Sequence, residues 1–261
     1  MKTSSSFLVP LVMGASALAY PQAVSPRNIE PRVSTDTILD LISEVFPSEI
    51  DLADSTDTTS EETLNTADGA LAVAADYSTT ANDLVDGECG DVTLIFARGT
   101  SEAGNVGSLV GPEFYSALQT ALGSTSSIFQ GVNDYSATIV EYLGGGSTTG
   151  AANMASLVTQ AFSQCPGTQV VMSGYSQGAQ VTHLTAADLP AATMQQVSAV
   201  VTFGDPDSTT PVANIDASKV LVICHDGDDI CQFGTLVLPQ HLTYAENATA
   251  AANWVVGKLT L

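Results

Sequence analysis

Basic side chains are scarce in this sequence: six lysines and arginines stand against 28 aspartates and glutamates in 261 residues, a net charge of −22. Binding of nucleic acid needs a clustered basic surface, so no nucleic-acid partner is expected. The acidic excess reads first as a solubility device. Histidine is scarcer still. His183, His225 and His241 are the only three, and no two have ligand spacing. The four cysteines, Cys89, Cys165, Cys224 and Cys231, include no C-x-x-C. A metal site is therefore not expected, and no cofactor is assigned. Also missing is a run of ~20 mostly apolar residues, the length a bilayer-spanning helix needs, so no integral membrane segment is expected.

What is present begins with an export signal. Lys2 precedes an apolar stretch over residues 7–18, and Ala17-Leu18-Ala19 offers a small-x-small cleavage site. Residues 1–19 read as a secretory signal peptide, which makes the expected location extracellular. An oxidising compartment suits the cysteines. Three pairings are open to them, and the short enclosed loop favours Cys224 with Cys231, leaving Cys89 with Cys165.

Residues 20–83 differ in composition from the remainder of the chain. Pro21, Pro26 and Pro31 open the segment, residues 37–46 have the pattern of a short amphipathic helix ended by Pro47, and residues 51–66 are rich in Ser, Thr, Asp and Glu. The last stretch reads as disordered. The whole is expected to be an acidic leader or propeptide, or a lid in which the helix over 37–46 covers an apolar active-site mouth. Residues 84–261 are left as a catalytic domain, large enough for one full core.

Within that domain, continuous apolar runs at 92–97, 128–132, 169–172, 197–203 and 220–224 alternate with helical spacing at 112–122, 148–162, 181–189 and 245–256. Apolar strands buried on both faces and alternating with helices give an α/β fold. Its layers are helix, a central, mostly parallel sheet of about five strands, and helix. Such sheets bind ligands at the carboxyl ends of their strands.

At one of those ends stands Gly174-Tyr175-Ser176-Gln177-Gly178, a G-x-S-x-G turn between a strand and a helix. This pattern forces a serine into a strained, outward-pointing position. A serine hydroxyl needs a base, and on this architecture the chain order is Ser, acid, His. His241 fits that order best. His225 remains a second candidate, while His183, seven residues into the following helix, reads as a surface or packing residue. Asp226, Asp228 and Asp229 lie in a loop bracketed by Cys224 and Cys231, with Asp205 in reserve. One oxyanion donor is expected from the backbone N–H of Gln177. A second is expected from Thr100 or Ser101, in a turn that an Arg98–Glu102 ion pair would close.

Taken together, Phe96-Ala97-Arg98-Gly99-Thr100-Ser101-Glu102 with Gly104-Asn105, the Gly174–Ala179 elbow, and Cys224-x3-Asp228-x2-Cys231 followed by Pro239-x-His241 resemble the cutinases, small secreted serine esterases. The resemblance runs from about residue 89 to 261. It implies an α/β-hydrolase fold acting without a cofactor on cutin, other polyesters and short- to medium-chain esters, with Ser176 as nucleophile, His241 as base and Asp228 as orienting acid. Thr100 and Gln177 would form the oxyanion hole, and the two favoured disulfides fit. A monomer is expected. Phe203-Gly204-Asp205-Pro206 is closer to acetylxylan esterases, the alternative substrate class. A secreted surface-interaction protein on a hydrolase scaffold is the alternative outside enzymes. The intact set of Ser176, Asp228 and His241 speaks against it.

Overall fold

The computed structural model describes residues 35–46, 48–53 and 58–261, so the signal-peptide expectation lies outside the described residues. In chain order the first elements are α1 (Thr35–Val45), β1 (Ile50–Asp51) and α2 (Thr58–Ala75). The domain proper continues with β2 (Val92–Ala97), α3 (Gly111–Leu122), β3 (Ser127–Gly131), α4 (Ile139–Leu143) and α5 (Thr148–Gln164). Then come β4 (Gln169–Tyr175), α6 (Gln177–Asp188), α7 (Ala191–Met194), β5 (Ala199–Phe203) and β6 (Val220–Ile223). The chain closes with β7 (Leu236–Val237), α8 (Pro239–Leu242) and α9 (Ala248–Val256).

Five strands form one sheet in the order β3-β2-β4-β5-β6, and every neighbouring pair is parallel. The chain moves outward from β2 to β3, then returns past β2 to lay down β4. The carboxyl ends of β2 and β4 therefore flank the point where the winding direction reverses, where ligand crevices form in open α/β sheets. Strand alternation divides the core. Leu94 and Phe96 of β2 join α3 and α9 on one face, whereas Ile95 and Ala97 join α5 and α6 on the other. Both faces of the sheet are thus covered, as its apolar strands require.

The described part of residues 20–83 departs from expectation. Its helix over 37–46 is present as α1, but residues 58–66 are the start of an 18-residue helix, not disordered chain. Leu64, Ala67, Leu71 and Ala75 recur at helical spacing and are buried in the same core as Phe96 and Phe114. Glu62, Thr63, Asn65 and Thr66 around them are exposed and the polar Asp68 shares the buried face, which hid the apolar stripe. Ahead of α2, β1 pairs antiparallel with β7, Ile50 opposite Val237. Among the described residues, no helix is long and apolar enough to cross a membrane.

Candidate active site

The turn after β4 is built by its glycines. A Cβ on Gly174 would lie 2.0 Å from Gly178 O, and one on Gly178 would lie 2.0 Å from Ala97 O. Only hydrogen fits at either position, so β4, α6 and the end of β2 approach closely. Between them Ser176 is held at φ 56° and ψ −122°, a conformation that a side chain beyond glycine rarely adopts. A backbone hydrogen bond from Ser176 N to Phe203 O, 2.9 Å, ties the turn to β5.

Asp228 and His241 come together at 2.8 Å, carboxylate Oδ2 to ring Nδ1, and both are almost fully buried. The loop between Cys224 and Cys231 presents the acid. Its disulfide is formed, and Ile230 N donates to Asp228 Oδ1 at 3.0 Å. The Tyr244 hydroxyl donates to Oδ2 at 2.6 Å. Burial pushes the Asp228 carboxyl up, but the hydrogen bond and charge of His241, with the donors from Tyr244 and Ile230, outweigh it and hold the carboxyl below its ordinary value. An ionised Asp228 can only accept, which fixes the proton of His241 on Nδ1 and leaves Nε2 as an acceptor. That Nε2 is buried with no hydrogen-bond partner. Pro239 starts the one-turn helix α8, so His241 sits in a helical turn. Tyr175 secures it from the other side, stacked on the imidazole at 5.0 Å and donating to His241 O at 2.8 Å.

Gln177 is the first residue of α6, so its N–H has no acceptor within the helix. Its side chain donates to Thr138 O at 2.7 Å and to Thr100 Oγ1 at 3.2 Å, and accepts from the Tyr135 hydroxyl at 2.8 Å. Accepting from Gln177 leaves the Thr100 hydroxyl its own proton to donate elsewhere. Ser101 is set aside because its N–H is bonded to Ala137 O at 2.8 Å. The expected Arg98–Glu102 ion pair is replaced by another arrangement. Arg98 Nε donates to the backbone oxygen of Glu102, while the Glu102 carboxylate accepts from the N–H groups of Gly99, Ser108 and Leu109.

The remaining candidates go elsewhere. His183, within α6, is bound to Asp205 at 3.0 Å, and neither residue lines the cavity that holds Ser176 and His241. His225 is occupied by Gln240 O and Asn247 Oδ1. Asp226 is exposed, and Asp229 accepts from Leu236 N at 2.9 Å. The second disulfide joins Cys89 to Cys165. No group of three or more His, Cys, Asp or Glu that could hold a metal occurs among the described residues.

Ser176, His241 and Thr100 line one small cavity. A hydroxyl in a strained turn, an imidazole with a free inward nitrogen and a buried carboxylate behind it have the arrangement of a nucleophile, base and acid. A family model described as Cutinase matches residues 88–259. The chain belongs to the cutinase family. It is 45% identical over 255 residues to a cutinase of Hypocrea jecorina, covering 97% of this chain and 98% of that one. A Botryotinia fuckeliana cutinase is 51% identical over 167 residues, 64% of this chain and 82% of the other. Among solved structures, a Trichoderma reesei cutinase in complex with a C11Y4 phosphonate inhibitor superposes with a TM-score of 0.74 at 45% identity, covering 87% of this chain and 98% of that chain. The chain is accordingly a carboxylic ester hydrolase.

Two features of this cutinase site were not legible in the sequence. Leu52, next to β1, and Leu64 of α2 line the cavity together with Ser176. For Leu64 the signal was the helical spacing through to Ala75. Tyr244, three residues after His241, reaches the acid through a tertiary contact for which the sequence carried no motif.

Proposed function

We propose that this member of the cutinase family is a secreted serine carboxylesterase that hydrolyses cutin and short- to medium-chain esters through an acyl-enzyme. The observation that carries the reading is the Asp228–His241 contact at 2.8 Å with His241 Nε2 buried and unpartnered beside the Ser176 turn. In this reading Nε2 takes the proton of Ser176 Oγ as that oxygen bonds to the ester carbonyl carbon. The resulting oxyanion is met by the Gln177 N–H and by Thr100. Collapse breaks the ester C–O bond, and the alcohol leaves with the proton held by His241. Water, giving its proton to His241, then attacks the acyl carbon; the bond to Ser176 Oγ breaks, His241 returns the proton to that oxygen, and the acid leaves. No step calls for a cofactor, and the protein works as a monomer with no nucleic-acid partner.

Residues 1–19 serve as the export signal, 20–83 as a leader and 84–261 as the catalytic domain. Leu52 and Leu64 on the cavity support a lid role for the leader, which moves aside to admit an ester chain. Rates on p-nitrophenyl acetate, butyrate and palmitate, on a polyester film and on acetylated xylan test the substrate class. Activity on butyrate and on the film is expected. Hydrolysis confined to acetylated xylan would overturn the cutinase reading in favour of a deacetylase.

A further inference from the structure

Tyr244 is fully buried immediately after α8, and its hydroxyl links three groups of the site. Its oxygen accepts the N–H of His225 at 2.9 Å, and its proton goes to Asp228 Oδ2 at 2.6 Å. The same carboxylate oxygen accepts Nδ1–H of His241 at 2.8 Å. The ring is fixed as well, stacked on His225 at 4.0 Å and edge-on to His241 at 6.0 Å. The Asp228 oxygen at 2.6 Å is the near acceptor for the phenol proton, with the Cys231 sulfur farther off at 3.5 Å, and hydrogen bonds in such chains polarise one another.

We propose that Tyr244 is a positioning residue that acts through Asp228, sharing Oδ2 with His241 and so setting both the orientation of the carboxylate and the strength of its hold on the imidazole. The inference rests on the reading of Ser176, His241 and Asp228 as the reacting set. Burial, followed by the hydrogen bond to Asp228, pushes the Tyr244 phenol far above its ordinary value, so it remains a donor across the working pH range. The titratable groups around it are Asp228 and Asp205, whose charges act on the phenol, with His225, His241 and Tyr175 packed against its ring. A donor on Oδ2 neutralises part of the carboxylate charge. Removing it therefore strengthens the pull of Asp228 on the imidazolium while loosening the geometry.

Tyr244→Phe keeps the ring and removes only the hydroxyl. In the folded variant, checked by circular dichroism and Tm, kcat on p-nitrophenyl butyrate is expected to fall about 10- to 100-fold with KM within about twofold of wild type, because misplacement by ~1 Å costs this much. The acid limb of the kcat/KM profile moves to higher pH. In an Asp228→Asn background the same substitution adds no further loss, since the residue acts through a group already disabled. A kcat within about twofold of wild type, or an equal loss in both backgrounds, overturns the inference. Should Tyr244→Phe not fold, 3-fluorotyrosine at 244, a stronger donor, is expected to move the acid limb to lower pH, and an unmoved limb overturns the inference. Full activity of Asp228→Asn alone would instead remove the reacting set and the inference with it.

Discussion

Raising the pH from 5 to 9 is expected to loosen α2 from the loop that carries Thr100. Asp68 of α2 is buried against that loop, accepting from Ala103 N at 2.6 Å, from Ser108 N at 3.2 Å and from the Ser108 hydroxyl. Beside it Glu102 is also buried. Burial first, and then the charge of Asp68, push the Glu102 carboxyl from 4.5 up to about 8 against the opposing N–H donors. Asp68 is raised in turn by its own burial. A carboxyl raised in the docked state favours docking while protonated. Docking is therefore strongest below the ordinary carboxylate range, weakens as pH climbs toward about 8 and levels off above it. At about 1.4 kcal/mol per pH unit, the loss reaches at most on the order of 5 kcal/mol. Burial of Leu52, Leu64 and Leu71 opposes it with roughly 1.5–3 kcal/mol each, so the carboxyl pair weakens the docking without undoing it. Hydrogen exchange of the α2 amides, corrected for intrinsic chemical exchange, reads the effect directly. Protection falling between pH 5 and 8, with part of the slope removed by Asp68→Asn and the burial contribution to Glu102 left in place, is expected. Constant protection from pH 5 to 9, or an unchanged slope in the variant, would refute the reasoning.

Two further perturbations test how the site is held. Gly178→Ala places a methyl 2.0 Å from Ala97 O and 2.7 Å from Arg98 O, both backbone atoms. The turn must shift, with an expected loss of about 1–3 kcal/mol in urea unfolding and about 100-fold or more in kcat/KM; a variant with wild-type kinetics would show that the close approach is dispensable. The two disulfides should separate stability from rate. Cys89–Cys165 closes a loop of 76 residues and Cys224–Cys231 one of 7. Loop entropy gives about 4.5 kcal/mol for the long loop and about 2.5 kcal/mol for the short one. Serine replacement of Cys224 and Cys231 should nevertheless cost more kcat, because their loop presents Asp228. The reverse ordering of rates would count against that role.

The parts of the molecule legible in the sequence were those written in local pattern. Strands such as Val92–Ala97 are buried on both faces, so continuous apolar runs marked them. The elbow was legible because its geometry requires Gly174 and Gly178 at fixed spacing. Helix α2 was not, since Ala and Thr dominate it and its buried stripe includes the polar Asp68. The choice of Asp228 among three neighbouring aspartates needed the family resemblance. Its bonds to His241 and Tyr244 bring together residues 13 and 16 positions apart, which local pattern does not encode. Asp205 and His183 illustrate the same limit. Each suits an active site by type, yet they are bonded to each other, His183 reaching Asp205 from within α6. Phe203-Gly204-Asp205-Pro206 pointed toward acetylxylan esterases, whereas the relative covering 97% of the chain is a cutinase.

The central claim is that Ser176 is a nucleophile activated by His241, and covalent trapping tests it most directly. A serine-reactive alkyl phosphonate should add once per folded chain, map to Ser176, abolish esterase activity and fail to label Ser176→Ala. Folded wild-type protein that stays unlabelled, or that carries the label on another residue, would contradict the account.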